Sequence, residues 1–129
     1  MEYEAELDIH FGVGYQFYVR VLETDYRLET NCQLTRVTDF TRPPTSELPN
    51  AIEPGMYLVG VEIKPGIYEG VVPTEDFSSC SWARHADFTG AYSEAIDTGF
   101  HSDDGVAFNV LVAPSDYGLA TKCRLTFVR

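Results

Sequence analysis

Three histidines, three cysteines and twenty acidic residues carry most of the potential chemistry in this 129-residue sequence. The densest run is His101-Ser102-Asp103-Asp104-Gly105, which holds a hydroxyl, an imidazole and two carboxylates side by side. A nucleophile, base and acid work together only when separate elements bring them to one point, so sequence neighbours do not form such a set. Asp-Gly ahead of an apolar alternation is a turn signal, and the run reads as a turn. His85 is out of phase with Cys80, Trp82 and Arg84 and is expected to face solvent. Asp97, Asp103 and Asp104 have the ligand type of a hard cation site, but their spacing fits no calcium loop. There is no phosphate-cradling glycine run and no basic cluster suited to nucleic acid. The sequence therefore nominates no catalytic residue, no cofactor and no metal ligand.

The net charge of −11 is the compositional outlier. It repels nucleic acid and anionic membranes and attracts a basic protein partner. One stretch concentrates the effect. Glu2, Glu4, Glu6 and Asp8 alternate with Tyr3, Ala5, Leu7, Ile9 and Phe11. Strand geometry would set those carboxylates in a row about 6.8 Å apart, the candidate acidic interaction face. Such a row imitates the regular charge of a phosphate backbone. It also suits an edge strand, where charge discourages sheet-to-sheet association, and that reading needs no partner.

The elements that must position these groups are strands. Period-2 alternation marks residues 2–11, 17–22, 26–34, 56–63, 67–72, 79–85, 106–112 and the C-terminal run with Cys123, Leu125 and Phe127. Phe17, Val19 and Val21 share one face in the second of these; Tyr57, Val59, Val61 and Ile63 share one in the fourth. Lys64-Pro65-Gly66 and Ser115-Asp116-Tyr117-Gly118 supply turns, the first suited to type II. Residues 88–96 have an ambiguous pattern, in which Tyr92, Ala95 and Ile96 fit one face of a short helical turn, and 98–105 read as polar turn. About eight strands with almost no helix imply an all-β fold, a two-sheet sandwich or barrel-like domain.

A partial internal repeat crosses the chain. Cys32-Gln33-Leu34-Thr35-Arg36-Val37-Thr38-Asp39-Phe40-Thr41 aligns with Cys80-Ser81-Trp82-Ala83-Arg84-His85-Ala86-Asp87-Phe88-Thr89, sharing Cys, Arg, Asp, Phe and Thr. A true copy requires Phe40 and Phe88 both buried, and Arg36 and Arg84 each paired with the Asp three residues on. On this reading residues 1–42 are a partial repeat and 43–54, with four prolines in 43–54, a linker or loop. Residues 55–129 then form the main module of a single β domain. Trp82 and the eight tyrosines supply either core or an exposed binding face.

Within that module several motifs occur in fixed order: Val59-Gly60, then Pro65-Gly66-Ile67-Tyr68, then Cys80-Ser81-Trp82 with Arg84. Ala113-Pro114-Ser115-Asp116-Tyr117-Gly118 with Cys123 completes the set. Residues 55–129 thereby resemble a small Cys-bridged β domain of actinobacterial envelope proteins and of phages of those hosts. The resemblance implies a Cys80–Cys123 bridge, leaves Cys32 unpaired and implies no activity. The alternative for the three cysteines is reduced thiols packed as small hydrophobes.

The acidic N-terminus has neither the basic start nor the apolar run of a signal peptide, so the sequence predicts cytosolic synthesis. If the bridge forms, the product belongs in a virion or outside the cell. No apolar run reaches the length of a membrane span. The expected function is a non-enzymatic protein-interaction module of a phage or actinobacterial virion, accessory or surface protein. An acidic, nucleic-acid-mimicking inhibitor of a host DNA- or RNA-binding protein is the alternative, and a small hydrolase the third.

Overall fold

The computed structural model describes residues 16–23, 33–37, 40–75, 78–88 and 94–129. In these residues the fold is all-β. A short 3-10 turn at Thr45–Glu47 precedes β1 (Ala51–Ile52), β2 (Gly55–Leu58), β3 (Gly66–Val71) and β4 (Cys80–His85). Then follow β5 (Ala95–His101), β6 (Ala107–Val112), β7 (Gly118–Thr121) and β8 (Leu125–Phe127). They make two four-stranded sheets, ordered β1-β8-β3-β6 and β2-β7-β4-β5, with every strand pair antiparallel. The sheets do not close into a barrel. The chain changes sheet at every connection except the β4–β5 hairpin.

The alternation that predicts β3 and β6 is the one the fold uses. Phe108, Val110 and Val112 point inward from β6, while Ala107, Asn109 and Leu111 point out. Tyr68 and Gly70 point inward from β3; a side chain at Gly70 would collide with the Phe108 ring. Between the sheets these residues pack with Ile52, Ile63, Cys80, Leu119, Cys123 and Leu125, flanked by Tyr57, Trp82 and Phe127. Tyr68 is fully buried, its hydroxyl donating to the Lys64 carbonyl at 2.6 Å, and burial pushes its phenol up to about 12.

The second sheet is buried on both faces at its β2–β7 side. A second cluster, Met56, Leu58, Ala120 and Phe88, lies on its outer face with Tyr18, Val61 and Tyr117 packed around it. Phe88 sits directly over Gly118, where any Cβ would strike its ring. Residues 16–20 cover this cluster. Met56 N–H donates to the Gln16 carbonyl at 3.0 Å, Arg20 N–H to the Phe88 carbonyl at 2.6 Å, and Tyr18 stacks on Phe88 with centroids 6.0 Å apart.

Several sequence expectations need correction. Residues 17–22 form no strand and keep no alternation: Tyr18 packs inward and Val19 is half-buried, while Phe17 and Val21 are exposed. The aromatic cluster selects Tyr18, which a count of aliphatic alternation passes over. The expected strand over 56–63 stops at Leu58. There Glu62 and Ile63 N–H both donate to the Leu58 carbonyl, and Gly60 turns the chain at φ +82°. Ala51 and Ile52, placed in a linker by their prolines, pair with Thr126 and Leu125 as β1. Ala95–His101, read as helical turn and polar turn, is the edge strand β5. An edge strand with mostly exposed side chains has no apolar period to betray it.

The paired burial required by the repeat also fails. Phe88 is 2% exposed and Phe40 is 52% exposed. The strand expectation at 2–11 and residues 26–32 of that at 26–34 lie outside the described residues, as do Cys32 and Asp39; Gln33 and Leu34 form no strand, and Leu34 is exposed.

Cys80 and Cys123 form a disulfide, Cα to Cα 5.4 Å, closing a 43-residue separation. Cys80 opens β4, and Cys123 follows β7, the strand hydrogen-bonded to β4. The bond thus ties the β3–β4 crossover to the β7–β8 crossover. Chain entropy assigns such a closure about 4 kcal/mol. The Cys80→Ala, Cys123→Ala variant is expected to lose about that much in a urea titration; a loss under ~1 kcal/mol would mean that the pairings hold the crossovers unaided.

Candidate functional site

Parts of three sequence motifs, Val59-Gly60, Arg84 and Asp116-Tyr117, converge at one end of the sandwich, and the residue that gathers them is Asp116. Its side chain is 1% exposed. Oδ2 accepts from Arg84 Nε at 2.7 Å and from the Ala113 amide at 2.9 Å, and Oδ1 accepts from Arg84 Nη2 at 2.9 Å. The Asp116 amide donates back to the Ala113 carbonyl at 3.0 Å, closing the turn between β6 and β7. Arg84 reaches this carboxylate because β4 alternation turns it to the same face as Cys80 and Trp82. A two-pronged guanidinium–carboxylate fit fixes direction as well as distance. Hydrogen bonding to Asp116, opposed by burial, raises the Arg84 pKa further, with Asp97 Oδ2 at 3.8 Å adding to it.

Beside this pair is an open groove of about 260 Å³ lined by Phe40, Arg42, Leu58, Val59, Val61, Asp116 and Tyr117. Its walls come from three stretches: residues 40–42, the turn at 59–63, and the β6–β7 turn. The Arg42 guanidinium lies against Gly60, where a Cβ would meet Nη1 at 2.5 Å. Glycine there answers two demands, a left-handed φ and that close approach.

His85 is not solvent-facing. It lies on the outer face of the second sheet, as its phase requires, but Phe88 packs over it with ring centroids 5.3 Å apart. Its Nε2 is buried without a hydrogen-bond partner. Burial lowers its pKa below the ordinary 6.5. Around it Phe88 contacts Tyr117 edge-on at 5.4 Å, and Asp87 holds Arg20 at 2.5 Å. Tyr18 and Tyr117 both have their phenol pKa raised, chiefly by burial.

The other candidates separate. His101 stands opposite Cys80 at the far end of β4 from His85, and on the inner face. It stacks on Phe108 at 4.2 Å and its Nε2 accepts from Trp82 Nε1 at 3.2 Å. Trp82 itself is half-buried against the core, leaning over Gly99, where a Cβ would meet the indole. The structure therefore does not bring His85 and His101 together. Asp97 belongs to β5, accepts from the Thr98 amide and faces Arg84. Among the described residues no three His, Cys, Asp or Glu side chains are grouped to hold a metal ion.

The Arg–Asp pairing inferred from the repeat is wrong for Arg84. Its partner is Asp116, 32 residues away, and Asp87 pairs with Arg20 instead. An intra-turn partner is the shortest guess from sequence, but an in-phase β4 side chain points across the sheet, not along the turn. The acidic row Glu2, Glu4, Glu6 and Asp8 lies outside the described residues. No single run of the sequence marks the groove. Its signal was present in the motif order, since Val59-Gly60, Arg84 and Asp116-Tyr117 occur together in the resemblance but meet only in three dimensions.

Residues 48–125 match the family described as Rv1352-like extracellular domain. That span is more than half of the chain and holds every strand through the start of β8, the disulfide, Arg84 and Asp116. The chain belongs to the Rv1352-like extracellular domain family. No curated protein and no solved structure matches the chain significantly. The Rv1352-like region begins at Leu48, seven residues before the boundary drawn from the sequence, and so takes in β1 and the buried Leu48. The disulfide accords with an extracellular setting and with the Cys-bridged envelope type of domain. No helix among the described residues is long and apolar enough to cross a membrane. Phe40 and Arg42 lie outside the Rv1352-like region, so one wall of the groove is an addition to the family scaffold.

Two measurements test this site. Asp116→Asn removes the charge that Arg84 is built around, and a stability loss of about 3 kcal/mol is expected. The double variant Arg84→Met, Asp116→Leu should lose less than the single one, since neither charge is then buried alone. A double loss equal to the sum of the Arg84→Met and Asp116→Leu single losses would show the pair to be uncoupled.

For His85, the unfolded chain takes up a proton near 6.5 and the folded chain only at lower pH. The unfolded state therefore binds more protons below pH 6.5, and stability falls from there until the folded pKa is reached. In urea titrations between pH 7.5 and 5, His85→Leu should flatten part of that decline. An unchanged pH slope would assign the decline to other groups.

Proposed function

We propose that this protein is a non-enzymatic interaction module of an actinobacterial surface protein or of a phage of such a host, docking through the outer face of its first sheet. One observation carries this reading. In a chain of net charge −11, the centre of that face is apolar, with the exposed Arg124–Glu53 ion pair at its β1–β8 end. Leu111 is 60% exposed, Val128 54% and Val71 52%. They stand in register with Ile67, Ala107, Asn109 and Thr126, and Glu69 is the carboxylate among them. Interfaces differ from ordinary surface by the loss of charge at their centre more than by total apolarity. Scattered apolar residues need no explanation, but a contiguous set on a flat sheet does. The sandwich beneath is rigid, so the face is presented ready-made, with little ordering cost on binding.

The family supports an extracellular setting, and the bridge supports a domain that holds its shape there. A docking face of this kind gives an interaction insensitive to salt, because little of it is ionic. With a photo-crosslinking side chain at position 111, adducts with host envelope proteins are expected that persist at 1 M salt. The same group at Lys122, in the turn that follows β7 of the other sheet, should give few. Leu111→Glu should weaken capture about tenfold, as one buried charge on an apolar interface costs more than 1 kcal/mol. Equal adducts at both positions, or capture that vanishes with salt, would overturn the reading.

A further inference from the structure

We propose that the groove beside Arg84–Asp116 binds a small amphipathic carboxylate, an apolar ring or short chain bearing one carboxylate, with Arg42 as its anion partner. The site is separate from the docking face, which lies on the other sheet.

The lining states the chemistry. Leu58, Val59 and Val61 make an apolar floor, and Phe40 and Tyr117 add aromatic walls. Two charged groups reach it, and they differ in their commitments. Asp116 has both oxygens occupied by Arg84 and the Ala113 amide, so it offers no strong site for a ligand cation. Arg42 lies against the Gly60 backbone and has no ion pair or hydrogen bond among the described residues. A guanidinium with five donors at the rim of an apolar groove matches a carboxylate, which it grips in two-pronged fashion.

Size and field narrow the class. A volume near 260 Å³ is at the small end of ligand sites, which run from about 300 to 1,000 Å³. It holds a bicyclic ring or a short acyl chain, not a peptide. The net charge of −11 repels a polyanion at long range, so a phosphate chain gains one guanidinium and meets a negative field. A monoanion with an apolar body draws on both the floor and Arg42 and suffers least from that field. Because Phe40 and Arg42 stand outside the family-matched region, the ligand specificity belongs to this chain rather than to the shared scaffold.

The probe is 2-naphthoate, followed by amide chemical shifts in the full chain with its disulfide intact. Saturable shifts are expected at Gly60, Val61 and Tyr117. The neutral 2-naphthamide and the variant Arg42→Gln should each weaken binding about tenfold, the worth of a charge-assisted hydrogen bond. Tripolyphosphate should produce no saturable shift. Arg42 is exposed and has no ion pair among the described residues, so Arg42→Gln keeps the fold. Equal affinity for acid and amide, indifference to Arg42→Gln, or shifts confined to the Leu111 face would each overturn the proposal.

Discussion

The Cys80–Cys123 bond is the constraint on which the rest of the domain leans. A chain that changes sheet at almost every connection gains little from local pairing, because every pairing except β4–β5 joins strands far apart in sequence. Closing such loops costs entropy before any contact rewards it. The disulfide removes that cost at the crossovers into β4 and out of β7, the two strands that form the middle of the second sheet. It is also buried, with Cys80 fully and Cys123 nearly enclosed, so it adds to the core as well as to the connectivity. A matched region of 48–125 is small for a two-sheet core, and small extracellular domains commonly rely on such a staple.

From that staple the polar end of the sandwich follows. β4 starts at Cys80, so its inward phase brings Trp82 over Gly99 and Arg84 to Asp116. The pair spans from β4 to the turn that launches β7, and it orients Tyr117 and Gly118 behind it. Phe88 then fills the space above Gly118, and residues 16–20 lie over Phe88. Each layer is positioned by the one beneath. The second sheet is therefore buried on both faces near β2 and β7, whereas the first sheet keeps its outer face open to solvent. That asymmetry separates a face available for docking from one already covered by the chain itself.

Charge is distributed to the same effect. Arg84, Arg20 and Arg124 are committed to Asp116, Asp87 and Glu53. Lys64 is placed over the Phe127 ring and donates to Asn50. Arg42 is the contrast, a cation with no ion pair among the described residues beside an apolar groove.

The sequence by itself determined the parts governed by period and by chemistry internal to a strand. β3, β6 and β8 were legible because each has a buried and an open face, and β4 because Cys80, Trp82 and Arg84 share its inner face; alternation records both directly. The resemblance carried by the PGIY, CSW and APSDYG motifs indicated the disulfide. What only the tertiary structure decided was everything set by a distant partner. Arg84 took Asp116 rather than Asp87 because strand direction, not sequence distance, selects the acceptor. β1 and β5 escaped notice because a two-residue strand has no period and an exposed edge strand needs none. His85 was read as solvent-facing because phase identifies a face but not what covers it. The Phe40–Phe88 mismatch makes the same point: identical spacing placed one ring over Gly118 and left the other exposed, since burial depends on which element the fold brings opposite.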